Sequence, residues 1–342
     1  FGGKSAEHAV SLLSARSIWE NLDREKYEPF LIYINRAGEW CLTGNTSFKE
    51  EELKKEKFHS FIPWGSKLLE AVDADIYFPV LHGPNGEDGR IQGLFEMAGK
   101  PFVGAGSFSS QLAMDKIAAK MLFAQAGLKQ TPFLHFSENI HEQVAELVAK
   151  KLGYPVFVKP CSLGSSVGIR KAKDRRELLD AVDFAFGYDN RVIIEKAVVD
   201  MRELEVAVMG NADVMVSAPG ELLPSHEFYD YADKYLEGKT QFRIPVPLGD
   251  DIEARVKKTA HKAYRTLFLN GFARVDLFLE NESGEVLVNE INTIPGFTTI
   301  SMFPKLWQAQ GISFTRLLDR LIEYGFDHFV NRKENVDEGL GR

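Results

Sequence analysis

The sequence predicts an α/β protein of two or three domains. Three observations carry that reading: chain length, an alternation of strand-like and helix-like runs, and a strand–turn–strand hairpin near the C-terminus. At 342 residues the chain can bury two or three cores. Hydrophobic residues at 44% and charged residues at 26% are the balance of an ordinary soluble globular chain. A net charge of −8 argues against a general binder of nucleic acid or acidic membrane. Any phosphate ligand must therefore be held by local Lys, Arg and backbone N–H groups. Two cysteines, Cys41 and Cys161, suit a reducing compartment better than a disulfide framework. No run approaches 18 apolar residues, so no membrane span is expected. The sequence opens at Phe1-Gly-Gly without Met or a leading strand, and a strand or signal ahead of Phe1 is expected.

Residues 7–22 carry helical periodicity, with Ser5 as a candidate cap. Strand-like runs follow at 30–34 and 75–81, and the mixed charges of 50–57 read as a solvated connector or surface helix. One helix is expected over 107–127, with Gly127 as its stop. Then come a helix at 141–152, a strand at 155–159, a helix at 175–186, and strands at 192–196 and 204–209. The stretch 220–247 is long, aromatic-rich and irregular, and such loops are usually functional. A long helix over about 251–269 precedes the hairpin, another at 314–329 follows it, and 332–342 read as a frayed end.

The hairpin pairs Gly271–Leu279 with Glu285–Thr293 across the turn residues Asn281–Gly284. A centre near Ser283 sets Asp276 opposite Glu290 and Arg274 opposite Asn292. Alternation then gathers Arg274, Asp276, Glu290 and Asn292 on one face, leaving Val275, Leu277, Leu279, Leu287 and Ile291 on a core face interrupted by Asn289. Two carboxylates and a carboxamide form an all-oxygen set suited to Mg²⁺. On the hairpin alone, a solvated strand face with an Arg–carboxylate pair stays equally open.

A second constellation runs from Val156 to Gly168, where a strand ending at Lys159-Pro160 enters a turn of Gly164, Ser165, Ser166 and Gly168. Its backbone N–H groups can close over phosphates, with Lys159 as a point charge. It is no Walker A loop, since no G-x-x-x-x-G-K-[ST] string occurs. The strand 192–196 ends in Glu195, a candidate for an adenine pocket or simply a surface acid. Lys116, in Met114-Asp-Lys, looks like an ordinary helical lysine on its own. Gly2-Gly-Lys lacks the G-x-G-x-x-G spacing, which excludes a nicotinamide site.

As an ordered set these segments resemble the D-alanine–D-alanine ligases of the ATP-grasp superfamily. The resemblance covers nearly the whole chain: Gly2–His8, His82–Gly89, Met114–Lys116, Lys159–Gly168, Glu195-Lys196, Phe228–Tyr235, Ala273–Asp276 and Asn289–Thr298. Departures at Ala9 and at Cys161-Ser162 touch no position the family uses for chemistry.

The resemblance implies an N-terminal α/β domain (1–106), a central ATP-grasp subdomain with the Gly/Ser loop (107–196), and a C-terminal subdomain with a lid loop and the hairpin (197–342). It implies ATP-dependent ligation of two D-alanines through a D-alanyl phosphate, for peptidoglycan synthesis in the cytoplasm by a homodimer. Two Mg²⁺ ions, replaceable by Mn²⁺, are implied on Asp276, Glu290 and Asn292. For ATP it implies Lys116, Lys159, Ser165, Ser166, Glu195, Lys196, Ala197, Val198, Glu203, Lys234, Asn289 and Glu290. The first substrate's ammonium maps to Glu7 and its carboxylate to His82, while Ser301 and Met302 serve the second. Arg274 and the Gly296 N–H are implied to stabilise the tetrahedral oxyanion. Tyr235 joins Ser165 and Glu7 in a set that closes the site under a lid at 220–247, because an acyl phosphate must be shielded from water. A sister ligase making D-Ala-D-lactate or D-Ala-D-serine, and a non-catalytic nucleotide binder, are the alternatives. Tyr235 weighs against the ester-forming sister, and the full metal set with Arg274 weighs against a mere binder.

Overall fold

The computed structural model describes residues 1–57, 74–198, 200–223 and 241–339, with side chains as far as Val330. Two antiparallel sheets dominate it, the first covered by helices on one face and the second covered on one face and, over part of it, on the other as well. The first holds β3 (Phe133–Phe136), β4 (Val156–Pro160), β5 (Arg170–Ala172) and β6 (Val192–Lys196) in the order β3-β6-β4-β5. Along β4 burial alternates, so Val156 and Val158 pack on the helices His141–Lys151 and Arg175–Phe186 through Val144, Val148, Leu178 and Val182. The same alternation turns Phe157 and Lys159 of β4, and Glu195 of β6, towards the opposite face.

The second sheet has six strands, β7 (Met201–Met209), β8 (Met215–Val216), β9 (Gly220–Leu223), β10 (Gln241–Arg243), β11 (Phe272–Glu280) and β12 (Val286–Asn292). Its order is β10-β9-β7-β11-β12, with β8 beside β7. Leu204, Val206, Val275, Leu277 and Val288 bury against Val256, Ala260, Ala263 and Tyr264 of the helix Asp250–Thr266. The other face carries Glu203, Glu205, Arg274 and Asp276. Farther along that face Phe272 meets Phe297 and Phe303, tying the sheet to the helices Met302–Gln308 and Phe314–Gly339.

The N-terminal part contains the helix His8–Asn21, the antiparallel pair β1 (Leu31–Ile34) and β2 (Trp40–Thr43), and the helix Arg90–Met97. Parallel bridges join Gly2 to Ile34 and Tyr77 to Phe102. Gly2 has φ +94°, and a Cβ there would lie 2.2 Å from the Ile34 carbonyl, so glycine is required for this approach.

Several boundaries differ from the sequence expectations. The 107–127 helix is two, Ser107–Met114 and Lys116–Gln125, because Asp115 leaves helical geometry (ψ 98°) and its Oδ1 accepts the Ala118 N–H at 2.9 Å. Residues 75–81 form no strand beyond the single Tyr77 bridge. Helix continues through 332–339, where a frayed end was expected. The ends of the 220–247 stretch are the paired strands β9 and β10, while 224–240 lie outside the described residues.

Candidate active site

The hairpin register is the expected one at its functional end: Asp276 pairs with Glu290 and Arg274 with Asn292. Beyond it the register shifts, with Leu277 opposite Val288, so Asn289 is the extra residue of a β-bulge. Ile291 packs in the core as expected, joined there by Val286 and Val288, while Leu287 is buried as well but sits opposite Phe278 and outside that cluster. Asn289, an anomaly on the expected core face, instead lines the cleft beside Glu290.

Arg274 donates to Asp276 through Nε (to Oδ1) and Nη2 (to Oδ2), both at 2.7 Å, and its Nε lies 3.2 Å from Glu205 Oε2. Asn292 Nδ2 donates to Asp276 Oδ2 at 2.9 Å. Among the described residues no group of three His, Cys, Asp or Glu side chains is gathered to hold a metal ion. The available oxygens are those of two carboxylates and one carboxamide.

Opposite the hairpin, Lys159 donates to Glu195 Oε2 at 2.6 Å, and Lys120 lies 3.1 Å from Glu195 Oε1. Burial alone would raise the Glu195 carboxyl, but the two ammonium groups outweigh it and hold its pKa at about 2. Burial also opposes charge on Lys159, yet Glu195 and Glu290 raise its pKa; at Lys120 burial prevails and lowers it. Lys116 donates to the Leu163 carbonyl at 2.7 Å and stands 3.7 Å from Glu290. In the loop, Ser165 and Ser166 both adopt left-handed backbone (φ +51° and +59°), the kind of turn that points successive N–H groups into one concavity. Gly168 is needed below them, since a Cβ would sit 2.5 Å from Pro160.

Ser165 Oγ donates to Glu7 Oε1, joining the loop to the start of the N-terminal helix. Gly83 makes room for that carboxylate: a Cβ there would lie 2.4 Å from Glu7 Oε2. His82 is buried, with Nδ1 donating to the Ile294 carbonyl and Nε2 against Ser14 Oγ, each at 2.9 Å. Ser14 Oγ in turn accepts the Phe297 N–H at 3.2 Å. The turn 294–297, which contains Gly296, is thus pinned at both ends by the N-terminal part. A Cβ on Gly296 would come within 2.6 Å of Ser301 Oγ, and that hydroxyl accepts the Thr298 N–H at 3.0 Å. The Met302 side chain is buried in the core.

One cleft between the two sheets is lined by Lys116, Lys159, Ser165, Ser166, Glu195, Lys196, Val198, Glu203, Arg274, Asp276, Asn289 and Glu290. Ala197 is buried beside it, its N–H donated to Pro155. Glu7, His82, Asn292, Gly296, Ser301 and Met302 are not among the residues lining this cleft. Lys234 and Tyr235 lie outside the described residues. Sequence reasoning missed Lys120, Glu205 and a brace in which Asp115 meets Arg191 at 2.6 Å and accepts from Cys161 Sγ at 3.1 Å. The available signal for Lys120 was its i, i+4 spacing from Lys116 on one helix face.

Cationic side chains and a donor loop on one sheet, facing carboxylates on another, define the ATP-grasp class of carboxylate-activating ligases. Comparison with known proteins supplies the family. Residues 1–105 match the model for "D-ala D-ala ligase N-terminus" and residues 122–323 that for "D-ala D-ala ligase C-terminus". The D-alanine–D-alanine ligase of Heliobacterium modesticaldum is 46% identical over all of this chain and 97% of its own length. That of Acetivibrio thermocellus is 40% identical, over 99% and 97%. The solved D-alanine–D-alanine ligase of Coxiella burnetii superposes with TM-score 0.87 at 33% identity, covering 100% of this chain and 98% of its own. The VanG D-Ala:D-Ser ligase of Enterococcus faecalis gives TM-score 0.85 at 36% identity, over 95% and 97%. The chain belongs to the D-alanine–D-alanine ligase family.

Proposed function

We propose that the chain joins two D-alanines into D-alanyl-D-alanine for peptidoglycan synthesis, converting ATP to ADP and phosphate through a D-alanyl phosphate. A single observation carries this reading: the two lysines, the Ser165–Ser166 loop, Arg274 and the Asp276–Glu290 pair all line one cleft. A carboxylate is a poor electrophile, and phosphoryl transfer to it requires neutralised charge around the terminal phosphates. Lys116, Lys159 and the loop N–H groups supply that neutralisation, with Lys234 at the γ-phosphate. The backbone of 195–198 meets the adenine edge, since the Glu195 carboxylate is engaged by lysines, and Glu203 takes the ribose. Asn289 borders the nucleotide beside Glu290.

Asp276, Glu290 and Asn292 fit Mg²⁺ (two ions, or Mn²⁺), which needs only one or two carboxylates when phosphates complete its shell. Bound there, the cation withdraws charge from the transferring phosphoryl oxygens. Glu7 holds the first D-alanine's ammonium and His82 its carboxylate. Ser301 and the backbone at Met302 hold the second carboxylate. Arg274 and the Gly296 N–H donate to the oxyanion that forms when the second amine attacks. Tyr235, Ser165 and Glu7 close the site and exclude water.

We divide the chain at 1–106, 107–196 and 197–342, which keeps each large sheet within one domain. The enzyme works in the cytoplasm as a homodimer, and no helix among the described residues is long and apolar enough to cross a membrane. The likeness to the D-Ala:D-Ser ligase favours D-serine as the alternative acceptor. The test is ADP release dependent on D-alanine, with products analysed when D-serine or D-lactate competes. D-Ala-D-Ala as the main product supports the assignment; mainly D-Ala-D-Ser or D-Ala-D-lactate would make it a sister ligase. Nucleotide binding without ADP release would make it a non-catalytic binder.

A further inference from the structure

We propose that Lys120 is a positioning residue: it holds the Glu195 carboxylate in place of Lys159, so that Lys159 is free to turn to a nucleotide phosphate. The inference rests on the reading of Lys159 as a phosphate ligand. Lys120 is 2% exposed and does not line the cleft, so its ammonium cannot itself reach a ligand there. Lys159 and Glu195 do line it. The two lysines divide the carboxylate between them, Lys120 on Oε1 at 3.1 Å and Lys159 on Oε2 at 2.6 Å. Thr131 Oγ1 accepts a further bond from Lys120 Nζ at 3.2 Å and anchors it behind the cleft wall.

Glu195 is 3% exposed, so a move of Lys159 towards a phosphate would leave an uncompensated buried carboxylate if no other cation were present. Lys120 removes that obstacle. It trades one of two counter-ions for the other while Glu195 stays charged. The spacing on the helix Lys116–Gln125 accounts for the division of labour, since Lys116 faces the cleft and Lys120, one turn later, packs behind it. Burial is the main force against the charge on Lys120, Glu195 opposes that force, and the neighbouring Lys159 ammonium adds a smaller repulsion that a move of Lys159 towards the cleft removes.

Calorimetric titration of the whole chain with Mg²⁺–ADP tests this, using Lys159→Met, Lys120→Met, Glu195→Gln and the double variant K120M/E195Q. Lys159→Met should weaken ADP binding about a hundredfold, and Lys120→Met by a comparable factor, because Lys159 stays bound to Glu195. Neutralising Glu195 removes the competitor, so K120M/E195Q should bind within about threefold of Glu195→Gln alone. The KM for D-alanine should be unchanged in Lys120→Met. If Lys159→Met binds ADP normally, the phosphate reading of Lys159 fails and the inference with it. If Lys159→Met is weakened but Lys120→Met is not, only the inference is overturned. A defect in Lys120→Met that persists in K120M/E195Q relative to Glu195→Gln marks a merely structural lysine and also overturns it. Should Lys120→Met not fold, Lys120→Gln enters the same comparisons.

Discussion

Replacing Arg274 with lysine keeps the charge and removes the fork. In the structure the guanidinium spends two donors on Asp276 at 2.7 Å each and lies 3.2 Å from Glu205. An ammonium cannot grip a carboxylate bidentately and reach a second acid in the same geometry. One charge-assisted bond, worth about 1.5–3 kcal/mol, is lost from the ground state. Against a total stability of about 5–15 kcal/mol the variant stays folded, with Tm lowered by a few degrees. Catalysis should suffer more. Loss of one preorganised oxyanion donor costs about 10²–10³ in kcat, or about 2.7–4 kcal/mol. Steady-state ADP release at saturating ATP and D-alanine, read beside thermal unfolding and ADP affinity, separates the two effects. The expected result is kcat down by about two to three orders of magnitude with ADP binding little changed. A kcat within about fivefold of the parent, with only Tm lowered, would make Arg274 a structural tie for Asp276 and refute the oxyanion role.

Glu290→Gln leaves the apolar face of the hairpin untouched and removes one of two carboxylates, so turnover should fall by about 10³ or more while circular dichroism is unchanged; normal turnover with Mg²⁺–ATP would contradict the metal assignment. Tyr235→Phe removes one hydroxyl from the closing set we propose and should raise the share of ester when D-lactate competes with D-alanine. A product ratio unchanged from mildly acidic to mildly alkaline pH would count against Tyr235 as the specificity element. Glu195 has a folded pKa of about 2 against 4.5 for the free group, so its contribution is present above about pH 4.5 and is lost as pH falls towards 2. Of the order of 3 kcal/mol is at stake, and chemical unfolding between pH 5 and 2.5 should show a shallower pH dependence in Glu195→Gln; equal slopes would place the acid sensitivity elsewhere.

The hairpin was legible because its register follows from the turn residues centred near Ser283 and from the alternation of the two flanking runs. Its bulge was not, since alternation counts one residue against one; the clue was an asparagine on an otherwise apolar face. The break at Asp115 was hidden because the apolar pattern continues on both sides, and only the capping chemistry of an aspartate before a lysine marks it. Short strands such as Arg170–Ala172, and the strand at 133–136 with no fully buried residue, carry too little period-two signal to be read locally. Within the site, Arg274 could be placed by strand alternation, whereas Lys159 and Glu195 were legible only as the polar ends of apolar strands. The contacts of Glu7 with Ser165, and of His82 and Ser14 with the 294–297 turn, join segments 158 to 283 residues apart and are set by tertiary packing. The burial of Lys120 is not legible locally because lysines are rarely buried unless paired, and its partner Glu195 lies on β6, distant in sequence within the same domain.

The most direct test of the central claim, activation of a carboxylate as an acyl phosphate, is isotope transfer. A bridging oxygen in D-alanyl phosphate comes from the D-alanine carboxylate and leaves with phosphorus when the second amine attacks carbon. D-Alanine labelled with ¹⁸O in its carboxylate should therefore pass one label to inorganic phosphate, with ADP as the co-product and mass spectrometry as the readout. Label in AMP, with pyrophosphate released, would contradict both the acyl phosphate and the placing of Lys116, Lys159 and the Ser165–Ser166 loop around the terminal phosphates.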